Sequence, residues 1–134
     1  MLVGAMRHWV KAVQAGRCPC GDIRPAFQNA ALAAAVPHFH VMMAVLNRHA
    51  TEKMGMGHLD SVQVSEHEAI ILAMVRTTGG GGLTHVAGTA AHLVGEDHAT
   101  HLLVPTAALA QALANANRLP ASPIHDPDCT RFPE

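Results

Sequence analysis

The chain has 134 residues, and its nine Lys and Arg, ten Asp and Glu and eleven His give a formal net charge of −1 at pH 7. This length accommodates a single domain with a sizeable hydrophobic core. The near-zero charge excludes the strongly basic surface of a general nucleic-acid binder. No apolar run reaches the roughly 18 residues that a membrane span needs, so we expect no membrane partner.

The apolar residues are unusually rich in alanine and poor in aromatic side chains. They make up 49% of the chain, but 24 of them are Ala, whereas there are three Phe, one Trp and no Tyr. Ala has the highest helix propensity and buries little area per side chain. Charged residues make up only 14% of the chain, well below the roughly 25% of typical soluble domains. A core of small side chains and a weakly charged surface together predict a homo-oligomer, most simply a homodimer.

The N-terminal segment and the cysteines predict a cytoplasmic protein. Charged residues interrupt the first apolar stretch at Arg7 and Lys11, so it is too short for a secretory signal. Cys18, Cys20 and Cys129 are odd in number and lack the spacing of a disulfide framework. The role of Cys18 and Cys20 stays open between two ordinary loop thiols and half of a metal or redox site.

Apolar periodicity and helix-breaking residues predict an all-α fold, a compact bundle of five to six short helices. The predicted helices cover residues 3–15, 25–36, 38–53, 66–77, 84–94 and 107–117. Residues 96–104 fit either a helix or a strand, and 62–64 a short extended piece. We expect a single helical domain over residues 1–118, followed by an irregular Pro-containing tail over 119–134.

The clearest local motif in the sequence is a capping box, which marks the start of a helix. Ser65 is followed three residues later by Glu68, just before the apolar positions of a helix. In this motif the hydroxyl and the carboxylate each accept a backbone N–H that the helix leaves free. The pair therefore predicts a helix that begins at Glu66.

The spacing of the predicted helices and turns in residues 66–104 is typical of a helix-turn-helix, and it predicts a tri-helical packing of that kind. The segment that would read DNA begins with Glu96 and Asp97 and contains no Lys or Arg. Phosphate contacts provide most of the affinity for DNA, so this acidic edge would repel the duplex. Pro105 would also truncate the recognition helix. A DNA-binding regulator is therefore the least favoured interpretation.

The histidines support a more specific hypothesis, a site for a transition metal. The densest window contains His92, Glu96, His98 and His101, and imidazole is the commonest metal ligand among side chains. On a helix, residues four apart share a face, so His92 and Glu96 are suited to one ion. Mixed imidazole and carboxylate ligands favour zinc, iron or manganese.

This window lacks a complete ligand set, because Gly95 is expected to interrupt the helix within it. The other ligands would come from Glu66, His67 or Glu68, or from a symmetry-related chain. A weaker copper(I) hypothesis depends on the Met and His residues of 38–58. The opposing interpretation is that these histidines are ordinary exposed residues of a chain whose composition favours His, Ala and Gly.

These observations favour a small cytoplasmic, non-enzymatic binding or regulatory module that acts through contacts with a still unknown protein partner. The alternative is a metal-dependent enzyme that uses the same His and Glu ligands. No nucleophile elbow, dinucleotide fingerprint or zinc-protease motif is present in the sequence. If histidines line an interface, association should change between about pH 7.5 and 5.5, where imidazole titrates.

Overall fold

The computed structural model describes residues 2–29, 32–51, 55 and 63–116, and all regular structure in these ranges is helical. The α-helices are α1 (Leu2–Gln14), α2 (Pro19–Asn29), α3 (Val36–His49), α4 (Glu66–Gly79), α5 (Leu83–Val94) and α6 (Ala99–Asn115). Single 3-10 turns at Ala33–Ala35 and Glu96–His98 lead into α3 and α6. The all-α prediction is confirmed.

The helices pack around α6, which contacts α3, α4 and α5. α4 and α5 also contact one another, so each of the last three helices packs against the other two. At the other end of the bundle, α1 packs on α2 and reaches α3 and α4. A short loop between Gly79 and Leu83 joins α4 to α5, so these two contacting helices are neighbours in sequence as well as in space.

The core combines a few aromatic side chains with many aliphatic ones. The rings of Phe27 and Phe39 lie 5.1 Å apart and join α2 to α3. The indole of Trp9 is buried on α1, and its Nε1 donates to Nδ1 of His40 at 3.0 Å. The largest fully buried aliphatic side chains are Met6, Ile23, Met42, Met43, Leu46, Ile71, Leu102, Leu109 and Leu113.

The capping box is confirmed. The hydroxyl of Ser65 accepts the backbone N–H of Glu68 at 3.2 Å, and the Glu68 carboxylate accepts the N–H of Ser65 at 2.8 Å. α4 begins at Glu66, as predicted. At the other end of the helix pair, α5 stops at Gly95, whose φ of 85° and ψ of 156° suit only glycine.

The predicted start of the second helix is wrong. α2 begins at Pro19, where a missing N–H costs nothing, and it continues through Pro25. Ile23 and Phe27 are both fully buried on either side of Pro25. Their burial offsets the hydrogen bond that Pro25 cannot donate. Pro37, which lies between the predicted helices 25–36 and 38–53, is in the first turn of α3.

The region of 96–104 is helical, and both the strand alternative and the truncation at Pro105 are wrong. α6 runs unbroken from Ala99 to Asn115 with Pro105 inside it. An interior proline costs a helix about 3 kcal/mol. Leu102 and Leu109 are fully buried on its two sides, and each buried leucine contributes about 1.5–3 kcal/mol. Tertiary packing therefore outweighs the local penalty.

Several predictions lie outside the described residues. These are most of the connector between α3 and α4 and the Pro-containing tail after 118. Gln63 and Val64 are described and belong to neither a helix nor a strand. No helix in the described ranges is long and apolar enough to cross a membrane.

Candidate functional site

A concave feature lies between α4 and α5. It is a groove of about 530 Å³, open to solvent along one side. α4 contributes Ile70, Ala73 and Met74 to its lining, and α5 contributes Val86 and Leu93. Met74, Val86 and Leu93 also belong to the core, so the floor of the groove is continuous with the hydrophobic interior.

The groove contains no charged side chain. Its polar groups are the hydroxyls of Thr77 and Thr89 and the imidazoles of His85 and His92. The two histidines are seven residues apart, so they lie on the same side of α5, two turns from each other. Ionic recognition is therefore not available within the groove, and a ligand would be held by apolar contact and neutral hydrogen bonds.

Gly88 lies on α5 between these two histidines and is exposed. A Cβ atom built on Gly88 would meet no atom within 4 Å, so nothing in the chain itself requires glycine there. Glycine inside a helix costs about 0.5–1 kcal/mol relative to alanine. The missing side chain keeps the groove open at its centre.

Two hydrogen bonds from Thr51 hold α5, which forms one wall of the groove, against the rest of the bundle. The backbone N–H of Thr51 donates to the carbonyl of Leu93 at 2.8 Å, and its hydroxyl donates to the carbonyl of His92 at 3.0 Å. Both carbonyls belong to the last turn of α5, where backbone acceptors lack partners within the helix. The residue just beyond α3 thus holds the C-terminal end of α5 in place.

The four residues of the predicted metal site lie in different local environments. His92 is in the groove, and Glu96 is exposed in the 3-10 turn beyond Gly95. His98 and His101 do come together, with ring centroids 5.7 Å apart. In the described ranges no group of three or more His, Cys, Asp or Glu has an arrangement that would hold a metal ion. The metal site therefore stays a prediction.

His49, at the end of α3, completes an imidazole cluster with His98 and His101. Its ring stacks on that of His98 at 3.6 Å, with 16° between the planes. Near-parallel rings direct their nitrogens along separate planes, so these two do not converge on one ion as placed. Sequence reasoning missed His49, because 49 residues separate it from His98 and no local pattern links them.

The environment of the imidazole cluster disfavours positive charge. Burial lowers the pKa of His49, and the imidazole of His98 and the guanidinium of Arg48 lower it further. Nδ1 of His98 is buried and has no hydrogen-bond partner in the described ranges. The stack is consequently most stable with at least one ring neutral, since two stacked imidazolium ions would repel each other.

Glu66, His67 and Glu68 were considered as further metal ligands. Glu68 is fully buried and accepts two hydrogen bonds from Arg7 of α1, at 2.8 and 2.9 Å. Nδ1 of His67 accepts the backbone N–H of Gly55 at 2.9 Å. These contacts make Glu68 and His67 structural, and Glu66 remains exposed at the start of α4.

Cys18 and Cys20 are free thiols at the start of α2. Cys18 is exposed, whereas Cys20 is partly covered. Burial raises the pKa of Cys20, and the neighbouring Cys18 raises it further. A raised pKa leaves less thiolate at neutral pH, so Cys20 lacks the activation of a catalytic cysteine.

No family model matches the chain. No curated protein and no solved structure shows significant similarity to it.

Proposed function

We propose that this protein is a non-enzymatic binding module that acts through protein contacts, and that the groove between α4 and α5 receives an amphipathic helix of a protein partner. The observation that carries this proposal is the uncharged, largely apolar lining of an open groove between two packed helices. Placing one helix face into such a groove is a common mode of protein recognition.

The shape of the groove favours a helix over a small molecule. Small-molecule sites usually enclose about 70–90% of their ligand's surface, whereas this groove is open to solvent on one side. A helix covers such an opening with residues at positions i, i+3, i+4 and i+7. Because Ala73 and Gly88 are small, we expect the partner to present small or medium apolar residues toward them.

The chemistry of the lining supports a binding role without catalysis. No carboxylate or cysteine lines the groove, and its hydroxyl and imidazole groups have no orienting carboxylate among the lining residues. A nucleophile or general base normally depends on such a neighbour. The free thiols of Cys18 and Cys20 agree with a reducing compartment such as the cytoplasm.

The proposal is tested with a fluorescein-labelled amphipathic peptide of about 15 residues, which has Leu on one face and Gln on the other. Fluorescence anisotropy should show saturable binding to the wild-type protein. Gly88→Trp should abolish it, because the indole fills the centre of the groove. Gly4→Trp is the matched control, since Gly4 is also an exposed glycine in a helix with no atom within 4 Å of its Cβ position. Equal binding by both variants would contradict the proposal.

A further inference from the structure

Charged residues are distributed unevenly along this chain. Between Arg76 and Arg118 the chain contains only two charged residues, Glu96 and Asp97. α5 and α6 therefore contain no Lys, Arg, Asp or Glu at all. An uncharged groove needs an uncharged helix face as its occupant, because burying an unpaired charge is costly. The protein itself thus presents helices of the required chemistry.

α5 fits this role better than α6 for a reason of symmetry. α5 forms one wall of the groove and also exposes Thr84, Ala87 and Gly88 to solvent. Two copies that pack α5 against α5 cover both grooves in one closed, two-fold interface. α6, by contrast, does not line the groove, and it already packs against α3, α4 and α5 of its own chain.

The residues of α5 that face the groove are compatible with a two-fold axis at its centre. His85 precedes Gly88 by three residues and His92 follows it by four. Antiparallel pairing about Gly88 therefore places His85 of one copy opposite His92 of the other. At the axis itself, the absence of a side chain on Gly88 allows the two helix backbones to approach closely.

The remaining charges also fit this pairing. Glu96 and Asp97 are exposed just beyond the C-terminal end of α5, and Arg76 lies near the opposite end of the α4–α5 pair. None of the three makes an ion pair or a side-chain hydrogen bond within the described ranges. The last residue of α5, Val94, lies about 9 Å along the helix from Gly88. Antiparallel pairing therefore brings the turn that contains the two carboxylates of one copy toward the α4–α5 loop and Arg76 of the other.

We propose that the helix in the groove is α5 of a second copy of this chain, packed antiparallel about a two-fold axis near Gly88, with Arg76 of each copy paired to Glu96 and Asp97 of the other. This inference rests on the proposed function, since it names the partner of the same groove. It assigns the self-association to one surface, with a defined register and a defined set of charge pairs.

Sedimentation velocity on the full chain at about pH 7.5 tests the inference. The wild-type protein should be a dimer. Arg76→Glu should raise the dimer dissociation constant about tenfold or more, because like charges then face each other. Adding Glu96→Arg and Asp97→Arg to that variant should restore the dissociation constant to within about threefold of wild type. Gly88→Trp should be monomeric, and Gly4→Trp should remain dimeric.

The outcomes separate this inference from the proposed function. A wild-type protein that is monomeric up to millimolar concentration, yet binds the amphipathic peptide, overturns the self-association and leaves the groove as a site for another protein. A dimer that Gly88→Trp does not weaken, in a protein that also fails to bind the peptide, overturns both. A dimer weakened by Arg76→Glu but not restored by the charge exchange overturns the antiparallel register. Circular dichroism checks that each variant is folded.

Discussion

Arg7 on α1 and Glu68 on α4 form a buried, bidentate ion pair, with Nε 2.8 Å from Oε2 and Nη2 2.9 Å from Oε1. The side chains are only 6% and 0% exposed. Nη2 of Arg7 also donates to the carbonyl of Gln63 at 2.7 Å, and the Glu68 carboxylate caps Ser65. The Glu68 carboxylate thus caps the start of α4 and also binds α1 to this helix, although Arg7 and Glu68 are 61 residues apart in sequence.

Removing one partner of this pair should be strongly destabilising. Arg7→Met leaves the Glu68 carboxylate buried without its counter-ion, and we expect the free energy of unfolding to fall by about 3–5 kcal/mol. Arg7→Met combined with Glu68→Met should recover most of that loss, because an apolar pair of similar volume needs no counter-ion. Urea unfolding followed by circular dichroism measures both. Equal losses in the single and double variants would show that the pairing is not the cause.

The imidazole cluster should make the fold sensitive to acid. The folded state lowers the pKa of His49, so the folded chain takes up that proton less readily than the unfolded chain. The contribution of neutral His49 to the free energy of unfolding is therefore fully present above about pH 6.5. It is lost as the pH falls below that value toward the lowered pKa of His49. Stability measured at about pH 7.5 and 5.5 should fall less in His49→Gln than in wild type. An equal fall in the variant and the wild type would contradict this assignment.

The two thiols near the start of α2 should differ in reactivity. In a Cys129→Ser background, iodoacetamide should alkylate Cys18 faster than Cys20 at about pH 7.5. Burial and the neighbouring thiol raise the pKa of Cys20, whereas Cys18 is exposed. Mass spectrometry of digested samples, taken over time, resolves the two rates. Faster alkylation of Cys20 would mean that the thiol is activated and would reopen a chemical role for it.

Two glycines in one helix region should respond oppositely to alanine. Gly95→Ala should cost about 1–3 kcal/mol, because a φ of 85° with a ψ of 156° is accessible essentially to glycine alone. Gly88→Ala should stabilise the monomer by up to about 1 kcal/mol, because its Cβ meets open space within an ordinary helix. Thermal unfolding at low protein concentration compares them. A loss of monomer stability in Gly88→Ala would show that the chain itself requires this glycine.

Local signals in the sequence predict much of the fold. The Ser65–Glu68 capping box sets the start of α4, and Gly95 sets the end of α5. Both depend on hydrogen bonds and dihedral angles within a few residues. Pro25 and Pro105 show where local reasoning fails, because each lies inside a helix that the burial of distant neighbours stabilises. That contribution is not visible in a short sequence window.

The candidate site was less predictable than the fold. The groove is formed where α4 and α5 pack against each other, with small residues such as Ala73 and Gly88 in its lining. The sequence drew attention to His92 as a metal ligand, whereas the structure places it in the groove. It also gave no sign that His49 stacks on His98, because tertiary packing brings those two rings together.

The central claim, that the α4–α5 groove is the protein-binding surface, is tested most directly by nitrogen-15 chemical-shift mapping of the labelled chain with the amphipathic peptide. We predict that the largest shift changes fall on groove residues such as Ile70, Ala73 and Val86, and that α1 and α2 are unaffected. Gly88→Trp should remove these changes, and Gly4→Trp should retain them. Changes centred on α1 and α2, or no changes at a protein concentration at which the chain is monomeric, would contradict the claim.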